Sequence, residues 1–171
     1  PEHYSVQFST SAGPFTIDVT RSWAPNGADR FYALVQEKFY DDTAFFRVIP
    51  GFVVQWGING DPYTNDVWRM RPIQDDPVVE SNTRGTISFA SAGPDTRTTQ
   101  VFINYKDNVS LNRQGFQVFG KVTSGMVSTV DKIESKYSKQ NVNQGRAMTH
   151  GNQYFEENFP DFDYIYTARV L

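Results

Sequence analysis

Apolar and polar residues alternate with a period of two along Tyr4-Ser5-Val6-Gln7-Phe8, and again along Phe15-Thr16-Ile17-Asp18-Val19. That alternation predicts two half-buried strands, and Ala12-Gly13-Pro14 between them predicts the turn of a hairpin. The period then changes. Phe31, Leu34 and Val35 stand at i, i+3 and i+4 within Ala28–Glu37, with Pro25 near the start, so an amphipathic helix is expected there. Two strands follow, at about residues 44–49 and 52–57, interrupted by Pro50-Gly51. From Asn59 to Glu80 the chain is polar and carries Pro62, Pro72 and Pro77. A connection of that length inside a compact domain is either functional or ordered by its own packing. Gly85–Ala90, Val101–Asn104 and Val118–Val122 read as further strands, with a turn at Ala92-Gly93-Pro94-Asp95. A second helix is expected over Gly125–Ser135, with Met126, Val127, Val130 and Ile133 as its buried stripe, and Asp163–Leu171 as a closing strand. Many short strands with two helices predict one mainly β domain over residues 1–171, a barrel or sandwich with helical lids.

Composition narrows the partners more than the fold. A chain of 171 residues that is 39% hydrophobic supports one sizeable core. The net charge is -3 and the basic residues are scattered, so there is no electrostatic footprint for nucleic acid. The densest basic cluster, Trp68-Arg69-Met70-Arg71, reads as a solvated loop. Cysteine is absent, which excludes disulfides, thiol nucleophiles and cysteine metal sites together. No run of about 18 apolar residues is present to span a bilayer as a helix, so no membrane partner is expected. No leader is visible, and a chain starting at Pro1 leaves the compartment open: cytoplasmic by default, secreted or organellar if a leader has been removed.

The inventory of reactive groups is short. His3 and His150 each stand alone in polar surroundings and are expected to face solvent, which disfavours a Ser-His-Asp triad and a histidine metal cluster. Gly57-Ile58-Asn59-Gly60-Asp61 lacks the glycines and the Lys-Ser/Thr of a phosphate loop. The acidic run Gln74-Asp75-Asp76-Pro77 lacks calcium-loop spacing and is expected to be a solvated turn. Any reaction should therefore rest on positioning and electrostatics. The most informative residue is Arg47, set in the apolar stretch Ala44–Gly57. A guanidinium stays charged at any accessible pH, so burial among Phe, Val and Ile is costly unless acceptors meet it. Two readings stay open on these grounds. Arg47 is either an edge-strand residue paired with a nearby carboxylate, or a cation held for a substrate that brings the acceptor.

Three segments in order add a resemblance. Phe45-Phe46-Arg47-Val48-Ile49 followed by Phe52-Val53-Val54-Gln55 resembles the cyclophilin signature Phe-His-Arg-Val-Ile … Phe-x-x-Gln-Gly-Gly. Gly85-Thr86-Ile87-Ser88-Phe89-Ala90-Ser91-Ala92-Gly93-Pro94 … Thr99-Gln100-Val101-Phe102-Ile103 is similar to the family's second signature, and Phe116–Val122 to its third block. The stretch Asn143–Ile165 extends beyond the common short form and resembles a tail found in some microbial members.

The resemblance implies a closed eight-stranded antiparallel β-barrel capped by two α-helices, with a peptide groove on its outer face. It implies peptidyl-prolyl cis-trans isomerase activity without a cofactor or metal, on proline-containing peptides and unfolded proteins, by a chain acting as a monomer. Carried over position by position, Arg47 matches the catalytic arginine. Phe52, Val53, Phe102 and Leu111 match the hydrophobic proline pocket, and Gln55, Ala90, Ser91 and Gln100 match groove positions that hold or flank the peptide backbone. Phe116 falls where the family usually has histidine, keeping an aromatic wall without the polar handle. Phe46 replaces another histidine; as the neighbour of Arg47 on a strand it points away and serves packing. Val53 replaces a methionine and Trp56 a glycine, while Ser110 lies near where many members carry tryptophan, which counts against binding of the cyclosporin-type inhibitor. Gln55 and Gln100 could instead bond to backbone within the barrel, and Phe52, Phe102 and Phe116 could be core aromatics. A peptide-binding module of the same fold with little turnover is the main alternative to the enzyme. A lipocalin-type ligand barrel is disfavoured because a small barrel is packed with side chains.

Overall fold

In the computed structural model, which covers Pro1–Leu171, nine strands form one antiparallel sheet that curls round a packed interior. The strands are β1 (His3–Thr10), β2 (Gly13–Thr20), β3 (Thr43–Ala44), β4 (Arg47–Ile49), β5 (Val53–Trp56), β6 (Thr86–Phe89), β7 (Val101–Asn104), β8 (Val118–Ser124) and β9 (Tyr164–Val170). Their order across the sheet is β3-β9-β1-β2-β8-β6-β7-β5-β4. The helices are α1 (Pro25–Gln36), α2 (Pro62–Trp68), α3 (Ser110–Arg113), α4 (Gln144–His150) and α5 (Asn152–Asn158). None is long and apolar enough to cross a membrane. The alternating N-terminal segments form the expected hairpin, paired from His3↔Thr20 to Thr10↔Gly13.

The expected mainly β antiparallel architecture holds, with one detail changed: the sheet has nine strands and is not closed. The single strand foreseen over residues 44–49 divides in two: β3 pairs with β9, and β4 pairs with β5. The division falls at Phe45 and Phe46, whose rings go to different places. Phe45 enters the barrel interior, while Phe46 packs in a separate cluster against Phe155, ring centroids 6.1 Å apart. The two edge strands are thus consecutive in the chain, and the sheet curls back on itself with no ladder joining β3 to β4.

Trp56 stands at the middle of the interior. Its ring makes edge contacts with Phe8, Phe15, Tyr40 and Phe45 at centroid distances of 5.5, 6.4, 6.2 and 5.5 Å. Edge-to-face pairs of this kind add about 0.5–1.5 kcal/mol each beyond the area they bury. The next residue, Gly57, has φ +121°, and a Cβ there would lie 2.4 Å from the carbonyl oxygen of Thr99, so only glycine fits.

The second helix foreseen over Gly125–Ser135 is absent as an α-helix. That segment is a run of turns with one short 3-10 turn at Val130–Lys132. Val130 and Ile133 are buried as expected, but Val127 is exposed. The segment begins at Gly125, with φ +88° and its Cα side pressed against Pro14 and Phe15, and a tight approach to the hairpin takes the place of a helical start. The polar connection Asn59–Glu80 is ordered by its own structure, containing α2 and a bridge between Ile73 and Arg97.

That connection holds a second correction. Asp76 is no solvated residue: its side chain is 3% exposed and pairs with Arg97, 2% exposed, through Arg97 Nη2 at 3.1 Å. Asp76 also accepts hydrogen bonds from the backbone N–H groups of Asn26 (3.0 Å) and Gly27 (2.9 Å) in the first turn of α1. The residue before that helix, Ala24, has no side chain able to cap it. A carboxylate from far along the chain therefore satisfies the orphan donors and meets the positive end of the helix dipole. Removing one partner of a buried pair strands the other charge. We expect Asp76→Ala to lower the unfolding free energy by about 3–5 kcal/mol, and the Asp76→Leu/Arg97→Met double variant to be less damaged than Asp76→Ala. Urea unfolding midpoints at constant slope test this, and a loss below about 1 kcal/mol for Asp76→Ala would contradict it.

Candidate functional site

The pleat of β5 sends Val54 and Trp56 into the barrel and Val53 and Gln55 to its outer side. On β7, Val101 and Ile103 face inward and Phe102 outward. Register then lines up three side chains from three strands, because Arg47 is opposite Gln55 and Gln55 is opposite Phe102. The outer face carries its own small apolar cluster of Val53, Phe102 and Leu111, with Phe52, Ala90 and Phe116 packed against it.

These residues surround a cavity of about 240 Å³ open to solvent. Arg47, Phe52, Val53, Gln55 and Ala90 line it, as do Ser91, Phe102, Leu111 and Phe116. Nine of the ten residues singled out from the sequence are therefore brought together. The tenth, Gln100, stands beside the cavity as the hydrogen-bond partner of Gln55. Phe102 and Phe116 meet edge to face at 5.5 Å and form a corner of the wall. Ser110, at the start of α3, is exposed and does not line the cavity.

Arg47 is exposed at the rim, and its guanidinium makes no ion pair with a carboxylate of the chain. Nη1 donates to Gln55 Oε1 at 3.2 Å, and the guanidinium carbon lies 5.9 Å from the centroid of the Phe52 ring. Partial burial alone pulls its pKa below the ordinary arginine value. The carboxylate-paired reading of Arg47 therefore does not hold; the buried, acid-paired arginine of this protein is Arg97. Gln55 and Gln100 do not turn back to the barrel backbone either. Gln55 Nε2 donates to Gln100 Oε1 at 2.8 Å, and Gln100 Nε2 donates to Gln144 Oε1 at 3.2 Å. Three amides thus run in one direction, and the first of them, Gln55, turns its carbonyl oxygen to Arg47.

Some contributors were not legible in the sequence. Gln144, the first residue of α4, lines the cavity although it belongs to the C-terminal extension. Behind the wall lies a buried asparagine network. Asn82 Nδ2 donates to the Phe116 carbonyl at 3.0 Å, Asn108 Nδ2 to the Phe52 carbonyl at 3.0 Å, and Asn108 also to Asn104 Oδ1 at 2.9 Å. Asn104 in turn donates to Asn82 Oδ1 at 3.2 Å. This network ties together the backbone at both aromatic walls. The one available signal was an asparagine closing the apolar strand Val101–Asn104.

His3 and His150 are both exposed, as expected, and no cluster of three or more His, Cys, Asp or Glu side chains is placed to hold a metal ion.

Comparison with known proteins bears on the same segments. A family model described as cyclophilin type peptidyl-prolyl cis-trans isomerase/CLD matches residues 5–151. A peptidyl-prolyl cis-trans isomerase of Acinetobacter baylyi is 38% identical over 134 residues, 75% of this chain and 70% of that protein. The human peptidyl-prolyl cis-trans isomerase-like 3 is 34% identical over 137 residues, 76% of this chain and 81% of that protein. Among solved structures, a cyclophilin type peptidyl-prolyl cis-trans isomerase of Cryptosporidium parvum superposes with a TM-score of 0.72 at 24% identity, covering 99% of this chain and 98% of that one. At that identity the likeness speaks to the fold, and it reaches through α5 and β9, which lie beyond the family match.

Proposed function

The chain belongs to the cyclophilin-type peptidyl-prolyl cis-trans isomerase family, and from that premise we propose that Arg47 is the group that lowers the barrier to rotation in its outer groove. The protein is an isomerase of X–Pro peptide bonds, and its family binds proline-containing peptides. The observation that carries the assignment of the site is a guanidinium without an acid partner at the rim of an apolar cavity.

Rotation about a peptide bond is opposed by about 18–20 kcal/mol, because the nitrogen lone pair is delocalised into the carbonyl. Both isomers of X–Pro are populated, yet exchange takes tens to hundreds of seconds. In the twisted transition state the lone pair localises on the prolyl nitrogen, which becomes pyramidal and accepts a hydrogen bond. A fixed donor aimed at that atom stabilises the transition state and leaves the planar ground state alone. Arg47 supplies such a donor, and the rest of its fork can hold the prolyl carbonyl. The Gln55 oxygen on Nη1 supports this role by limiting where the guanidinium can swing.

One charge-assisted hydrogen bond contributes about 1.5–3 kcal/mol, whereas a ten-thousandfold acceleration needs about 5.5 kcal/mol. Arg47 therefore acts with the pocket. Phe52, Phe102, Leu111 and Phe116 grip the pyrrolidine ring, while Gln55, Gln100 and the edge at Ala90-Ser91 hold the peptide on the other side of the bond. Val53, being short, leaves this pocket roomy. One side of the bond is anchored and the other turns. A single chain is the working unit of this proposal. Ser110 offers no indole to the groove, and we expect weak binding of a cyclosporin-type inhibitor.

Arg47→Ala is expected to reduce kcat/KM on a short Ala-Pro peptide by about 10–100-fold, the equivalent of that one interaction. Exchange NMR measures it, and equal rates for both proteins would overturn the assignment. No proton is transferred and the arginine is the one titratable side chain lining the cavity. Lowering a cation's pKa moves its loss of charge down from high pH, but arginine starts so far above neutrality that kcat/KM should be flat between about pH 6 and about pH 9. A bell-shaped profile in that range would point to a different catalytic group.

A further inference from the structure

A second cavity, of about 120 Å³, adjoins the first, and Arg47 and Gln144 line both. Its far side is built by the segment Glu134–Gln144, which leads into the C-terminal extension. Consecutive turns shape that segment: Ser138 N–H donates to the Ser135 carbonyl at 2.9 Å, and Gln140 N–H to that of Tyr137 at 2.9 Å. Tyr137 anchors it, meeting Phe159 and Phe162 edge to face at 5.2 Å each. The wall is therefore held from behind by packed aromatics.

The polar groups in this wall are uncommitted. The hydroxyls of Ser135 and Ser138 and the side-chain amide of Asn141 line the cavity and make no hydrogen bond within the protein. Charge is balanced there between Arg47 and Glu134. The volume is below the roughly 150 Å³ of an engineered cavity that admits benzene, so a short side chain fits it better than an indole.

Resting on the reading of Arg47 given above, we propose that this second cavity is a substrate subsite for the second residue after proline, selecting a short uncharged side chain that hydrogen-bonds: Ser, Thr or Asn. The position follows from chain geometry. With the prolyl ring in the first cavity and the prolyl carbonyl on the Arg47 fork, an extended chain leaves across Arg47. Side chains alternate, so the residue directly after proline points away from the protein. The next points back toward it, about 7 Å beyond the prolyl position. The cavity on the far side of Arg47 receives it, and Ser135, Ser138 and Asn141 offer it both donors and acceptors.

The test compares Ala-Ala-Pro-Ala-Ser-Ala with Ala-Ala-Pro-Ala-Trp-Ala by exchange NMR, using the full chain. The wild-type protein should favour the Ser peptide in kcat/KM by about 5–10-fold, the selectivity of one neutral hydrogen bond. Swapping Ser and Trp at the residue directly after proline should change the rate less than about twofold, since that side chain faces solvent. Ser138→Trp, which fills the cavity, should bring the Ser/Trp ratio close to one. Asn141→Trp, at an exposed position, should do the same should the first variant fail to fold. In the wild type, titration with the Ser peptide should shift the backbone amides of Ser135, Ser138 and Asn141. A ratio near one in the wild type, or a preference that survives in a folded cavity-filled variant, would overturn the subsite while leaving Arg47 in place. Acceleration of neither peptide would overturn the reading of Arg47 and the subsite with it.

Discussion

Arg47, Gln55 and Phe102 stand in one row across three antiparallel strands, and the groove depends on that row. Side chains alternate across a sheet, so a shift of one residue between β4 and β5 would turn Gln55 inward and leave Arg47 facing Val54 or Trp56. The register is held by what lies on the other face. Val48, Val54, Trp56, Val101 and Ile103 all belong to the barrel interior, and Trp56 alone touches four other aromatic rings. Packing inside the barrel thus fixes geometry outside it. The groove face carries no ordering cost of its own, because the strands carrying it are already committed.

Two arginines show how position decides what a guanidinium does. Arg97 is enclosed, and the protein supplies acceptors to its Nη2: the Asp76 carboxylate and the Gln74 carbonyl. In that place it joins the loop to the first turn of α1, through the same carboxylate that caps the helix. Arg47 stands at a rim with one neutral acceptor, Gln55, and keeps most of its donors for something outside the chain. A charge already satisfied by an internal acid would have little left to offer a developing lone pair. The value of Arg47 to the proposed site lies in what it is not paired with.

The C-terminal extension changes the groove although only its last residue, Ile165, enters the barrel interior. Phe155, Phe159 and Phe162 gather with Phe46, Ala44 and Ile58 into a cluster of their own on the outside of the sheet. Phe46 is the residue immediately before Arg47, so the extension is clamped to the chain at that point. From this anchorage α4 presents Gln144 to Gln100, and Tyr137 props the turns that wall the second cavity. The asparagine network behind Phe52 and Phe116 does the matching work on the other side, where buried amides rather than aromatics hold the walls.

Much of this was readable from residues alone, for a local reason. A period of two along β1 and β2, a period of 3.6 along α1, and the motif around Arg47 are each properties of short stretches, and short stretches carry strand, helix and family signatures directly. What the residues could not show depended on contacts between distant segments. Asp76 reads as solvent-facing until the N-terminus of α1 and Arg97 are folded against it. The stripe Met126, Val127, Val130 and Ile133 has helical spacing, but close packing of Gly125 on the hairpin leaves only a 3-10 turn and exposes Val127. Gln144 carries no mark of a groove residue, because its place is set by an aromatic cluster centred elsewhere. Local pattern determined most of the strands and singled out Arg47, although it read β3 and β4 as one strand. Tertiary packing decided which charges are satisfied inside and how far the groove extends, since both depend on what long-range folding brings within hydrogen-bond reach.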